Sequence, residues 1–189
     1  MSSLGMLLPV LSLLLAITAG VAGDDDAPGF EASVVECVGQ DDMMGYDSIE
    51  ALNADMEAEL DKIREGEPPL SSYVFILCPE SVFDASEGPL TPLLDNAVFT
   101  CGPTGDPANG CQFSNGENLV VIEDPVNVTD YDTLTVSFVG VTFTGFDGAA
   151  ISGNAGASAT VQLFNSNFEV SSSQLSIWDQ VSHNVVRIS

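Results

Sequence analysis

Thr135-Val136-Ser137-Phe138, Thr160-Val161-Gln162-Leu163 and Val185-Val186-Arg187-Ile188 are three copies of one pattern, each 25 residues after the last. Phe143 and Phe168 share that spacing. In a strand, successive side chains point to opposite faces, so Val136 and Phe138 face one way and Ser137 the other. The same split holds for Val161 and Leu163 against Gln162, and for Val186 and Ile188 against Arg187. A fixed period of this size with alternating apolar residues marks a stacked solenoid, in which no unit buries its inner face without its neighbours. Gly140 and Asn165 hold equivalent places one period apart. Both residue types tolerate the left-handed backbone of a sharp corner. The pattern predicts an all-β fold: a right-handed parallel β-helix of four to five coils, with the polar residue of each strand in water.

Working outward, the coils occupy residues 73–189. Val74-Phe75-Ile76-Leu77-Cys78 is the first predicted strand, then Val82-Phe83, then residues 90–94. The next coil takes Ala97-Val98-Phe99, Cys111-Gln112-Phe113 and Leu119-Val120-Val121-Ile122. Two insertions, 102–110 and 123–132, break the regular step; both have the Gly, Pro, Asn and Asp content of surface loops. The Gly-rich stretch 148–156 has no strand–loop–helix context for phosphate and is expected to form a coil corner. The sequence stops inside a strand of a fifth coil with no polar cap. Such an end is expected either to pair end to end with another chain or to continue into further coils.

Before the coils, residues 47–66 read as a capping helix. Ile49, Leu52, Met56, Leu60 and Ile63 form one apolar stripe. Asp47 with Glu50 fits a capping box, and Gly66 with Pro68 and Pro69 ends the helix. A solenoid needs a cover on its first coil, and this helix is placed to be one. Residues 24–46 are an acidic lead-in. Residues 1–23 read as a secretory signal peptide: apolar or small residues without side-chain charge, ending Val21-Ala22-Gly23 before Asp24. An uncleaved membrane anchor is the rival reading. A secreted, extracellular protein with no membrane association after cleavage is expected.

The 189 residues carry 3 Lys+Arg against 28 Asp+Glu, a net charge of −25. Such a surface repels nucleic acid and anionic membranes. It favours cations, with calcium the one candidate cofactor, or neutral and basic partners such as extracellular carbohydrate or protein; a plain solubility role is the alternative. Four cysteines in an exported chain imply disulfides. Three pairings are open. Cys101–Cys111 would close the loop between them, and Cys37–Cys78 would fasten the lead-in to the first coil, and this pairing is the expected one. Asn127-Val128-Thr129 is a glycosylation sequon on a predicted loop.

Leu77-Cys78-Pro79, Val82-Phe83-Asp84, Thr100-Cys101-Gly102-Pro103 and Gly140-Val141-Thr142-Phe143-Thr144-Gly145 together resemble the secreted right-handed β-helix proteins of the pectin-lyase-like superfamily. That resemblance covers residues 73–189. It implies the fold and leaves the activity open, because the superfamily holds lyases, hydrolases, esterases and non-catalytic members. Its lyases use a basic residue as proton acceptor with aspartate-held calcium. Here the coils hold a single basic residue, Arg187. The paired-aspartate, Gly-His-Gly and Arg-Ile-Lys motifs of its polygalacturonase-type hydrolases are absent, and Arg187-Ile188-Ser189 is no substitute. Asp130, Asp132 and Asp147 are the carboxylates that a hydrolase would use, though loop aspartates more often form turns. His183 with Asp179 lacks a recognisable nucleophile elbow, and Trp178 suits corner packing more than sugar stacking. The expected function is therefore a structural or binding role at the cell surface or matrix, without catalytic residues. A carbohydrate-active enzyme, or a fragment of one, is the alternative.

Overall fold

The computed structural model describes residues 34–40, 42–123, 134–153 and 159–169, and the backbone of 185–188. The described residues are mostly strands, arranged in parallel sheets, with one α-helix. A short antiparallel pair, β1 (Val35–Glu36) and β2 (Met44–Gly45), precedes helix α1 (Ile49–Arg64). The remaining strands are β3 (Tyr73–Leu77), β4 (Val82–Asp84), β5 (Ala97–Cys101), β6 (Gln112–Ser114) and β7 (Asn118–Ile122). They continue as β8 (Leu134–Val139), β9 (Thr142–Thr144), β10 (Ala149–Gly153), β11 (Ala159–Phe164), β12 (Asn167–Glu169) and β13 (Val185–Ile188).

The chain visits three sheets in rotation. One is five-stranded in the order β13-β11-β8-β5-β3, one is four-stranded in the order β12-β9-β6-β4, and the third pairs β10 with β7. Every pairing in the three is parallel. Val136 lies beside Val161 and Val161 beside Val186, so the period of the sequence is the period of the stack. Earlier steps differ. Tyr73 lies beside Ala97, a step slightly shorter than that period, and Ala97 lies beside Val136, a much longer one. The longer step contains both insertions.

Stacking in register builds two phenylalanine columns. In the first, Phe75, Phe99 and Phe138 stack with ring centroids 5.1 Å apart at each step. In the second, Phe83, Phe113, Phe143 and Phe168 follow at 4.8, 5.9 and 5.0 Å. Phe138 joins the columns edge-on, 6.2 Å from Phe113 and 5.4 Å from Phe143. Offset and edge-to-face rings add about 0.5–1.5 kcal/mol per pair beyond the burial of their area. Strands β5, β8 and β11 are each followed directly by a left-handed residue, Gly102 (φ 60°), Gly140 (φ 70°) and Asn165 (φ 51°). At Gly140 a side chain is excluded twice over, because a Cβ there would run into the carbonyl of Gly105.

Four expectations need correction. The helix cap is Ser48, not Asp47: Ser48 is extended (φ −142°) and its Oγ accepts from Ala51 N–H at 3.3 Å. Ile49 is buried with Leu52, Met56 and Leu60, so the apolar stripe fixes the first helical residue, and serine caps as well as aspartate. Residues 90–94 form no strand, only a single bridge from Leu90 to Val120. Pro89 precedes that segment and Pro92 lies inside it, and both lack the donor a ladder would use. Residues 149–153 are strand β10, not a corner; Ala149, Ala150 and Ile151 are buried there. Ser137 points out of its sheet yet is only 9% exposed. It lies in register between Val98 and Gln162, and loop 102–110 crosses the same face with Gly105 against Val139 and Thr100.

Helix α1 packs its buried stripe into one core with the first strands. Two polar devices bind this region together. Tyr46 bridges to Leu77 in parallel, with Tyr46 N–H donating to Ile76 O (2.9 Å) and Cys78 N–H to Tyr46 O (2.8 Å). Asn53 reaches from the helix so that its Nδ2 donates to Pro89 O (3.1 Å), while its Oδ1 accepts from Thr91 N–H (3.0 Å). The amide thus stands in for a neighbouring strand.

The Tyr46 hydroxyl donates to Asp55 Oδ2 at 2.5 Å, and its ring is buried against Phe75. Burial first, then the bond to Asp55 and its charge, push the phenol well above its ordinary value. The folded protein therefore holds this proton more tightly than the unfolded chain, in which tyrosine titrates near pH ~10. The contribution is complete below that pH and is lost as pH rises beyond it, by at most about 1.4 kcal/mol per unit. In urea titrations at rising pH, the wild type is expected to lose stability faster above pH ~10 than Tyr46→Phe does. Parallel losses in the two proteins would refute the assignment.

Candidate acidic site

Carboxylates fill the described surface, and two of the chain's three basic side chains are already neutralised. Lys62 pairs with Glu59, and Arg64 Nη1 pairs with Asp61 Oδ1 at 2.8 Å, both within the last turns of α1. These exposed pairs add little stability. They do leave the first turns of the helix without a cation of their own.

Those first turns form one wall of an open groove of about 710 Å³. Asp47, Glu50 and Glu57 line that wall; Val82, Asp84 and Glu87 line the other. The wall positions follow from local folding. Burying Ile49, Leu52 and Met56 turns Glu50 and Glu57 outward, on the helical period. Burying Phe83 turns its neighbours Val82 and Asp84 outward, on the strand period. Asp84 Oδ1 accepts from Ser86 N–H at 2.9 Å, which holds this carboxyl below the usual range. The groove thus presents permanent negative charge beside an exposed valine, Val82 at 52%. Among the described residues no three His, Cys, Asp or Glu side chains converge as a metal cage.

Two disulfides secure the early part of the chain and the first strands of the stack. Cys37 is bonded to Cys78 and Cys101 to Cys111, and all four residues are buried. Cys37–Cys78 ties the β1–β2 segment to the end of β3. Gly45 makes room for it: a Cβ there would lie 2.9 Å from Cys37 Sγ and 2.8 Å from Ile76 O. Cys101–Cys111 closes loop 102–110 at its base, and Asn109 Nδ2 donates to Cys101 O at 2.8 Å within it. Two buried disulfides fit an oxidising, extracellular environment. Among the described residues no helix is long and apolar enough to cross a membrane.

Of the other sequence-chosen residues, Asp147 is exposed at the corner after β9, with its N–H on Gly116 O at 3.1 Å. Arg187 lies in β13, in register with Gln162. Asn127, Asp130, Asp132, Trp178, Asp179 and His183 lie outside the described residues, as do residues 1–33 of the leader and lead-in. Sequence reading missed Tyr46, Asn53 and the groove between α1 and β4. Asn53 gave no signal, because an asparagine beside an apolar stripe looks like an ordinary surface residue. No protein-family model, curated protein or solved structure matches this chain.

Proposed function

We propose that this is a secreted, non-enzymatic, right-handed parallel β-helix protein of the pectin-lyase-like superfamily, acting in the cell surface or matrix through its acidic flank. Rotation of the chain through three parallel sheets supports the β-helix, and crossovers between parallel strands are right-handed in about 98% of cases. The observation that carries the functional reading is the charge pattern: −25 overall, with the described cations spent on intrahelical pairs. Dispersed carboxylates of this kind attract divalent cations or neutral sugars diffusely and weakly. Export by residues 1–23 and a glycan on Asn127 belong to the same proposal.

The test is thermal. For a site of Kd about 1 mM, calcium at about 10 mM adds about 1.4 kcal/mol, or roughly 4 °C for a chain of this size. Sodium chloride matched in ionic strength is expected to give a smaller rise, since it only screens. Equal rises would remove the cation reading. Turnover of a polysaccharide panel, abolished by Asp147→Asn, would replace the binding role with the hydrolytic alternative.

A further inference from the structure

The first circuit of the chain leaves three main-chain edges facing away from the stack, those of β3, of β4 and of the bridged segment at Leu90, and two of them are closed. Main-chain bonds from Tyr46 close the edge at Ile76 and Cys78. The side chain of Asn53 closes the edge at Pro89 and Thr91. The third edge belongs to β4, the terminal strand of its sheet. Gln112 N–H donates to Ser81 O (3.0 Å) and Ala85 N–H to Ser114 O (2.8 Å). In a parallel ladder alternate residues face the same neighbour, so Ser81, Phe83 and Ala85 turn their main chain to β6. Val82 and Asp84 turn theirs the other way, into the groove that both residues line. Among the described residues nothing bonds the main-chain N–H or C=O of either.

We infer that this groove takes an extended, basic peptide segment of another protein as an added strand on β4. An open edge supplies main-chain donors and acceptors to any extended chain, and alternate side chains then decide which chain is accepted. Here Val82 and Asp84 share the outward face of β4, and Glu50 and Glu57 line the same groove with no basic residue among them. Lysine or arginine at every second position, all on that face, is the complement, and aliphatic residues take the positions between. A second copy of this chain fits poorly, because its charge of −25 would be brought against the same carboxylates. This goes beyond the cation and carbohydrate reading and does not depend on it.

The probe is a capped Val-Lys-Val-Lys-Val peptide added to the full chain, read by calorimetry and by amide hydrogen exchange. Binding is expected, with slower exchange at Val82 and Asp84. Methylating alternate peptide nitrogens removes the ladder donors and keeps the charge; this is expected to weaken binding at least about tenfold. Glu50→Lys with Glu87→Lys, both at exposed positions outside the core, is expected to weaken the parent peptide by a similar factor. Absence of binding, equal binding of the methylated peptide, or protection located elsewhere would each overturn the inference. So would protection of the same two amides by calcium alone or by raised protein concentration alone, which would assign the edge to a cation or to a second copy.

Discussion

Phe113→Ala is expected to cost about 3–5 kcal/mol, a large share of a domain's total stability. Phe113 is fully buried and has three aromatic partners, Phe83, Phe138 and Phe143, across both columns. Truncation removes the transfer energy of the ring and leaves a cavity whose walls are backbone-anchored strands on three sides, so little collapse can repair it. Phe164→Ala is the comparison. Phe164 ends β11 with its ring outward and 39% exposed, and its loss is expected to cost less than about 1 kcal/mol. Phe113→Leu keeps most of the volume and loses the ring pairs, so it falls between. Urea titration reads all three, as a lower midpoint at unchanged slope. Phe113→Ala no worse than Phe164→Ala would mean that the columns do not hold the core together.

The second column also shows what the sequence held and what it hid. The fixed period is plain from residue 134 onward because no insertion falls between β8 and β11 in that sheet. Upstream, the same stack runs on a longer step. Phe83, Phe113 and Phe143 are evenly spaced along the chain and adjacent in the sheet, since each interval absorbs one loop. That regularity is legible once strands are compared within one sheet rather than along the chain. The groove was not legible in the same way. Its walls come from α1 and β4, which share no period, and their approach is set by how the stripe of Leu52, Met56 and Leu60 seats on the first circuit. Amphipathic spacing says which face of α1 is buried; it does not say against which strand. Tyr46 and Asn53 each act through a pair of hydrogen bonds to the main chain of a distant segment, and a hydrophobic pattern carries no trace of those. Ser48 displaced Asp47 as the cap for a related reason: both are good caps, and core burial of Ile49 chose between them.

Loss of the Cys37–Cys78 disulfide is expected to destabilise more than loss of Cys101–Cys111. The bonds span 41 and 10 residues. In the chain-entropy model such loops are worth about 4 and about 3 kcal/mol respectively. The loops are separate in sequence but the bonds are neighbours in space, with Cys111 Sγ 3.4 Å from Cys78 O, so the two effects are expected to couple rather than add. Structure widens the gap. Cys101–Cys111 closes a loop that also has Asn109 on Cys101 O and a helical turn at Pro107–Asn109 to hold it. Cys37–Cys78 is the covalent link between the β1–β2 segment and β3, directly beside the Tyr46 bridge that carries the chain into α1. Without it the segment keeps few buried apolar contacts, and local opening becomes cheap. Paired Cys→Ala variants avoid placing hydroxyls in the buried sites. The Cys37/Cys78 pair is expected to melt lower, and to show fast amide exchange through β1 and β2 while β5, β8 and β11 remain protected. An equal or reversed order of melting would show that the first circuit is held by α1 packing alone, and that the covalent tie adds nothing to the cover on that end of the stack.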